Sequence, residues 1–162
     1  MPLKTVGVEI AVADGDQIII GQSHFIKSVE DLYEALTTSM PGIRFGLAFC
    51  EASGKALIRL EGTDATLTGL AGDYAGRLAC GHSFVIVMRG AYPINVLNRI
   101  KAVEEVVNVF CATSNPVTVV VADSGKGRGI LGVIDGVQPE GVEGDSDKQE
   151  RRAFLRKIGY KR

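Results

Sequence analysis

A chain of 162 residues is long enough for one domain with a substantial core, burying about 70% of the surface that its unfolded form exposes. With 46% hydrophobic residues, 23% charged residues and 20 glycines scattered among the elements, the composition excludes a disordered or low-complexity protein. Eighteen basic residues against nineteen acidic ones leave a net charge of −1, which excludes a general attraction to nucleic acid or to an anionic membrane.

Read in chain order, Lys4 to Val12 alternates, with Val6, Val8, Ile10 and Val12 on one face. Asp14-Gly15-Asp16 supplies turn chemistry, and Gln17 to Gly21 carries three isoleucines, so the pair predicts a β-hairpin. Ser28 is placed to cap a helix from Val29, with Leu32, Leu36 and Met40 continuing its apolar stripe to Pro41-Gly42. Ile43 to Cys50 and Lys55 to Leu60, joined around Gly54, predict a second hairpin. Thr63 or Asp64 can cap the next helix, through Leu67, Leu70, Ala71, Tyr74 and Leu78, with Gly81 placed to stop it.

Ser83 to Met88 reads as a strand, a helix opens at Pro93 or Asn95 and runs through Val96, Leu97, Ile100 and Val103, and Val107 to Ala112 is a strand again. That order predicts a βαβ unit with a parallel crossover. Val117 to Ala122 and Ile130 to Ile134 add two more strands. The expected fold is α+β: one compact domain over residues 1–136, with helices packed on a mixed parallel and antiparallel sheet that contains hairpins and one βαβ unit. Residues 137–162 read as a polar linker, VQPEGVEGDSD, and a basic, helical tail with Phe154, Leu155 and Ile158 at helical spacing. The tail is expected to dock on an acidic neighbour; contact with RNA through it is the alternative, and the one route to nucleic acid.

Cys50, Cys80 and Cys111 are an odd count without C-x-x-C spacing, which fits buried free thiols and a reducing, cytoplasmic setting. No basic neighbour in sequence activates Cys50 or Cys111, so both are assigned to the core. The two histidines, His24 and His82, lack zinc-site spacing, and no metal is expected. No signal-peptide pattern opens the sequence and no apolar stretch reaches membrane-spanning length, so no membrane association is expected.

The polar chemistry gathers in loops. Gly21-Gln22-Ser23-His24 precedes a helix N-terminus, where free amides favour anions; His24 can accept a phosphoryl group there or simply bond a neighbouring carbonyl. Glu51 closes the third strand, and a right-handed crossover would bring it to the same sheet edge as His24, as a carboxylate that orients an imidazole or as a solvated strand end. His82 follows Gly81 and either meets the helix's last carbonyls or does chemistry; it should sit at the edge opposite the Asn115-Pro116 turn. Asp123-Ser124-Gly125-Lys126-Gly127-Arg128-Gly129 joins two strands with three glycines and two cations, so it can approach a ligand closely and attract phosphate, or serve only as a flexible turn. It lacks the spacing of a Walker loop. Thr113, Ser114 and Asn115 offer hydroxyl and amide groups able to read a nucleobase.

Taken together, GQSHFIK at 21–27, PGIRFGLAFCEASG at 41–54, GHSF at 81–84 and FCATSNPVTVVVADSGKGRGILGVIDG at 110–136 resemble the adenosine-specific kinase family. The resemblance implies an α+β fold, binding of adenosine and AMP in preference to more highly phosphorylated nucleotides, and a histidine that carries a phosphoryl group. Carried over by motif, the implied ligand-site positions are His24, Glu51, His82, Asn115 and Arg128, with either histidine as the phosphorylated one. The function expected is an adenosine- or AMP-binding phosphotransferase working through phosphohistidine, with Lys126 or Arg128 stabilising the transferring oxygens. No cofactor is assigned and the phosphoryl donor is left open. A non-catalytic adenosine or AMP sensor, or an interaction protein without turnover, is the alternative. A homo-oligomer with its pocket near a subunit interface is expected.

Overall fold

A computed structural model describes residues 2–161. The elements are β1 (Lys4–Ile10), β2 (Asp16–Ser23), α1 (Ser28–Ser39), β3 (Arg44–Cys50), β4 (Ile58–Gly62), α2 (Ala65–Leu78), β5 (Ser83–Arg89), α3 (Pro93–Lys101), β6 (Val106–Thr113), β7 (Val117–Asp123), β8 (Arg128–Asp135) and α4 (Asp145–Lys157). The strands form two sheets, one of five in the order β4-β3-β5-β2-β6 and one of three in the order β1-β7-β8.

The larger sheet is the middle layer. Successive residues of β2 point to opposite faces, and both faces are covered, which is why the isoleucine run is unbroken. Ile18 and Ile20 join Cys50, Val85, Leu67 and Leu78 of α2, and Val119 and Val121 of the small sheet, in one core. Ile19 faces the other way, with Phe45, Phe49 and Phe84, onto Leu32 and Leu36 of α1 and Val96 and Ile100 of α3. Each such fully buried side chain stabilises the fold by about 1.5–3 kcal/mol. Gly46 lets α2 come close: a Cβ there would lie 2.1 Å from the carbonyl carbon of Leu67. α4 buries no residue.

Three expectations need correction. The mixed sheet does not form, because every strand pairing in both sheets is antiparallel. β5 and β6 do run in the same direction and are joined through α3, but β2 lies between them and hydrogen-bonds to both, so the βαβ unit is split and contains no parallel pair. The hairpin of the first two strands is also absent. Both edges of β2 are occupied, and β1 pairs with β7 in the other sheet. The Asp14-Gly15 turn exists, with Gly15 at φ +82° and the Asp16 amide donating to the Ala13 carbonyl at 3.0 Å, but it is a corner between sheets. Asp16, buried at the start of β2, accepts from Arg89 Nε at 2.6 Å and Nη2 at 3.0 Å, which ties β2 to β5.

The hairpin β3-β4 forms as expected, and β7 and β8 pair as another. Asp64 caps α2, accepting from the Leu67 amide at 3.1 Å, whereas the left-handed residue ending that helix is Ala79 rather than Gly81. Ser28 sits inside the first turn of α1, its hydroxyl donating to the Phe25 carbonyl at 2.6 Å. The basic tail is helical as α4. No helix among the described residues is long and apolar enough to cross a membrane.

Candidate functional site

β2 and β3 are both antiparallel to β5, which separates them, so the ends of β2 and β3 meet the start of β5 at one edge of the sheet. His24, Glu51 and His82 therefore gather at that edge; a crossover between β2 and β3 accounts for the first two alone. Their partners differ from the expectation. Glu51 faces His82, with Nε2 3.5 Å from its Oε1, and not His24. His24 is exposed, and its amide donates to the Glu105 carbonyl at 3.2 Å.

His82 adopts φ +62°, a left-handed conformation that costs a residue with a Cβ about 1–2 kcal/mol. Two backbone hydrogen bonds hold it there: its amide donates to the Cys50 carbonyl at 2.7 Å, and its carbonyl accepts from the Ser23 amide at 2.9 Å. The result is a ring stacked on Phe49, centroids 5.9 Å apart and planes 13° from parallel. Glu51 is fixed just as firmly. Its Oε1 accepts from the Ala52 amide at 2.9 Å and the Ser53 hydroxyl at 3.2 Å, and its Oε2 is 2.9 Å from the Arg59 guanidinium. The Ala52 amide first, then Ser53 and Arg59, hold the carboxyl below its ordinary range against the opposing effect of burial, so it is ionised at neutral pH.

The β7-β8 loop belongs to the other sheet but reaches the same edge. Asp123 organises it, accepting from the Gly125 amide at 2.7 Å and from Arg128 Nε at 2.9 Å, while Ser124 donates to the Gly127 carbonyl at 2.9 Å. The Gly125 amide, followed by Arg128, holds the Asp123 carboxyl below the usual range. A cavity of about 510 Å³ is lined by Cys50, Glu51 and Gly81 on one side and Lys126, Gly127 and Arg128 on the other. The structure thus brings the carboxylate that pairs with His82 and a cationic, glycine-containing loop to one cavity, whose lining includes Glu51 but not His82 itself. Gly129 lies beyond its lining, paired with Ala122 in the ladder.

Asn115 is not brought there. It sits at the far end of the sheet, beyond Thr113, which pairs with Ile18, and its amide donates to Asp135 at 2.9 Å. The three cysteines are free and buried, and burial pushes the Cys80 and Cys111 thiols up to about 11. Sequence reasoning missed Arg59, which also donates to the Ile26 carbonyl at 2.6 Å and so ties the His24 segment to Glu51. Its only sequence signal was a cation inside an apolar strand; the register that sets it opposite Phe49 comes from the folded hairpin.

Comparison with known proteins agrees with this architecture. The crystal structure of the PH1918 protein from Pyrococcus horikoshii OT3 superposes with a TM-score of 0.93 at 43% sequence identity, covering 99% of each chain. No curated protein sequence matches the chain. The sequence pattern described as adenosine specific kinase matches residues 8–161, through the basic tail as well as the motif-bearing segments. With nearly its whole length matched, the chain belongs to the adenosine specific kinase family.

Proposed function

We propose that this protein binds adenosine and AMP in the cavity between Glu51 and the Lys126–Arg128 loop and transfers a phosphoryl group through His82. The observation that supports it most is the orientation of His82: a strained, stacked imidazole whose Nε2 faces a charged carboxylate at the rim of a cavity with two cations. Glu51 would hold the ring in the tautomer with hydrogen on Nε2, leaving the Nδ1 lone pair to attack phosphorus. The donor is a phosphate ester or anhydride; a P–N bond forms at Nδ1 as its P–O bond breaks, and the leaving oxygen takes the proton that Nε2 releases through Glu51. A ribose hydroxyl then attacks the phosphohistidine, breaking P–N and giving its own proton up to the ring. Lys126 and Arg128 would stabilise the transferring oxygens.

The test is calorimetric titration with adenosine, AMP, ADP and ATP, followed by intact-mass analysis of the wild type, His24→Ala and His82→Ala. Selective adenosine or AMP binding, with an added phosphoryl mass that only His82→Ala loses, is the expected result. Binding without any modification would leave a sensor, and no nucleoside binding would overturn the proposal. The same reading takes the protein as a homo-oligomer, supported by the open edge of β8 with Leu131 and Ile134 exposed. Light scattering that returned 17.2 kDa would exclude it.

A further inference from the structure

β4 is the outermost strand of the large sheet, and its residues are covered in an unexpected order. Ile58 and Leu60 are exposed, whereas Arg59 between them is partly buried. A cation more covered than its apolar neighbours is the informative kind of exception. Both arms of its guanidinium are committed: Nη1 donates to the Ile26 carbonyl at 2.6 Å, and Nη2 lies 2.9 Å from Glu51 Oε2. The other oxygen of that carboxylate, Oε1, is the one 3.5 Å from His82 Nε2. The Glu51 side chain is only 13% exposed, so the water that weakens a surface ion pair is largely kept from this one. In the ladder Arg59 stands opposite Phe49, and cross-strand neighbours share a face. His82 stacks on that same Phe49, so guanidinium, carboxylate and imidazole form one row.

The charges in the row decide what His82 can do. One carboxylate faces two groups able to carry positive charge, and only Arg59 carries it at every pH. With Arg59 in place the row is already balanced, and a second proton on the imidazole would leave it positive. Without Arg59 the carboxylate is answered by His82 alone, which favours the doubly protonated ring. The second proton would occupy Nδ1, the nitrogen that phosphotransfer needs bare. Three other cations stand near: Lys55 lines a cavity with Glu51 and Arg59, and Lys126 and Arg128 line the other cavity that Glu51 shares. Among the described residues, only Arg59 and His82 are in ion-pair contact with Glu51.

We propose that Arg59 is a positioning residue for His82 that acts through Glu51: it occupies one carboxylate oxygen permanently, so that the other orients the imidazole without drawing a second proton onto it. The consequence for Nδ1 rests on the phosphotransfer reading; the effect on the ring does not.

The chain has two histidines, so in His24→Ala the remaining imidazole can be followed alone by its ring nitrogen and proton resonances through a pH titration. Adding Arg59→Met is expected to keep that ring doubly protonated to a pH higher by about half a unit or more, and Arg59→Lys, which retains the charge, to remove most of that shift. Phosphoryl incorporation at His82, read by intact mass, should show its low-pH loss displaced by the same amount. A ring unmoved by Arg59→Met, or moved as far by Arg59→Lys, would overturn the proposal, as would an incorporation defect in Arg59→Met that raising the pH does not repair. A wild type that never takes up phosphoryl mass would overturn the phosphotransfer reading, while the ring titration still decides the role of Arg59.

Discussion

Two histidine-bearing segments, 23–28 and 79–84, lie side by side at one end of the sheet and are built to opposite ends. In the first, the backbone and the two serines are fixed, with the Ser23 and Ser28 hydroxyls bonded to each other, while the His24 ring is left in solvent. In the second, two residues with side chains, Ala79 and His82, take left-handed backbone conformations, and the ring is stacked and paired. Gly81 between them leaves little slack, since a Cβ there would lie 2.9 Å from that of Ala52. Strain persists where surrounding contacts over-determine it, and here it holds an imidazole in one orientation. The difference teaches that a histidine in a promising loop is not yet a positioned histidine.

The comparison can be broken most directly by exchanging the loss of one ring for the other. His82→Ala should reduce phosphoryl incorporation at least about a hundredfold, whereas His24→Ala should stay within about twofold; the reverse pattern, read by intact mass, would reassign the nucleophile. Next in size, Arg128→Ala should weaken AMP binding about tenfold and adenosine binding far less, since a charge-assisted contact to phosphate is lost; calorimetry with both ligands reads the split.

Arg59→Met removes the contacts to Glu51, the partner of His82, and to the Ile26 carbonyl beside His24. A loss of about 1 kcal/mol, seen as a Tm lower by roughly 2–4 °C, is expected. The smallest effect concerns the residue that holds the His24 backbone. Burial, with Asp31 nearby, raises the Glu105 carboxyl above its ordinary range, and neither of its side-chain oxygens has a hydrogen-bond partner. A carboxyl raised on folding contributes stability that is present at low pH and lost as pH rises through its folded value. Glu105→Gln stays neutral, so its Tm should gain on the wild type between pH 4 and pH 8, by on the order of 1–2 °C. A gap that does not widen with pH would show that Glu105 is charged within the fold.

The elements were legible because their signals are local: the Val29–Leu32–Leu36 stripe, Asp64 before Leu67, the isoleucine run. Pairing was not, because it depends on which edges remain free. Asp14-Gly15 marks a real turn, but with β5 and β6 on either side of it, β2 had no edge left for β1. At the site, the shared edge of His24 and Glu51 followed from the crossover between β2 and β3, and the glycine-lysine loop from its composition. That Glu51 pairs with His82 was hidden, because it rests on a left-handed backbone at a residue whose type gives no sign of it. Asn115, grouped with the others by motif, lies at the far end for the same reason that β6 does: a strand eight residues long carries its two ends apart.

The placement of β2 also sets the order of assembly. On the ribosome, β2 emerges early, yet both of its neighbours lie more than sixty residues downstream, and the partner of β1 comes later still, with Val8 meeting Val119. The first half of the chain therefore leaves the exit tunnel with its most apolar strand unpaired on both edges. Closure of such distant pairs is slow, and the exposed strand is a target for self-association until β6 is made. The full set of strand pairs in the two sheets thus requires the chain as far as Asp135, where β8 ends.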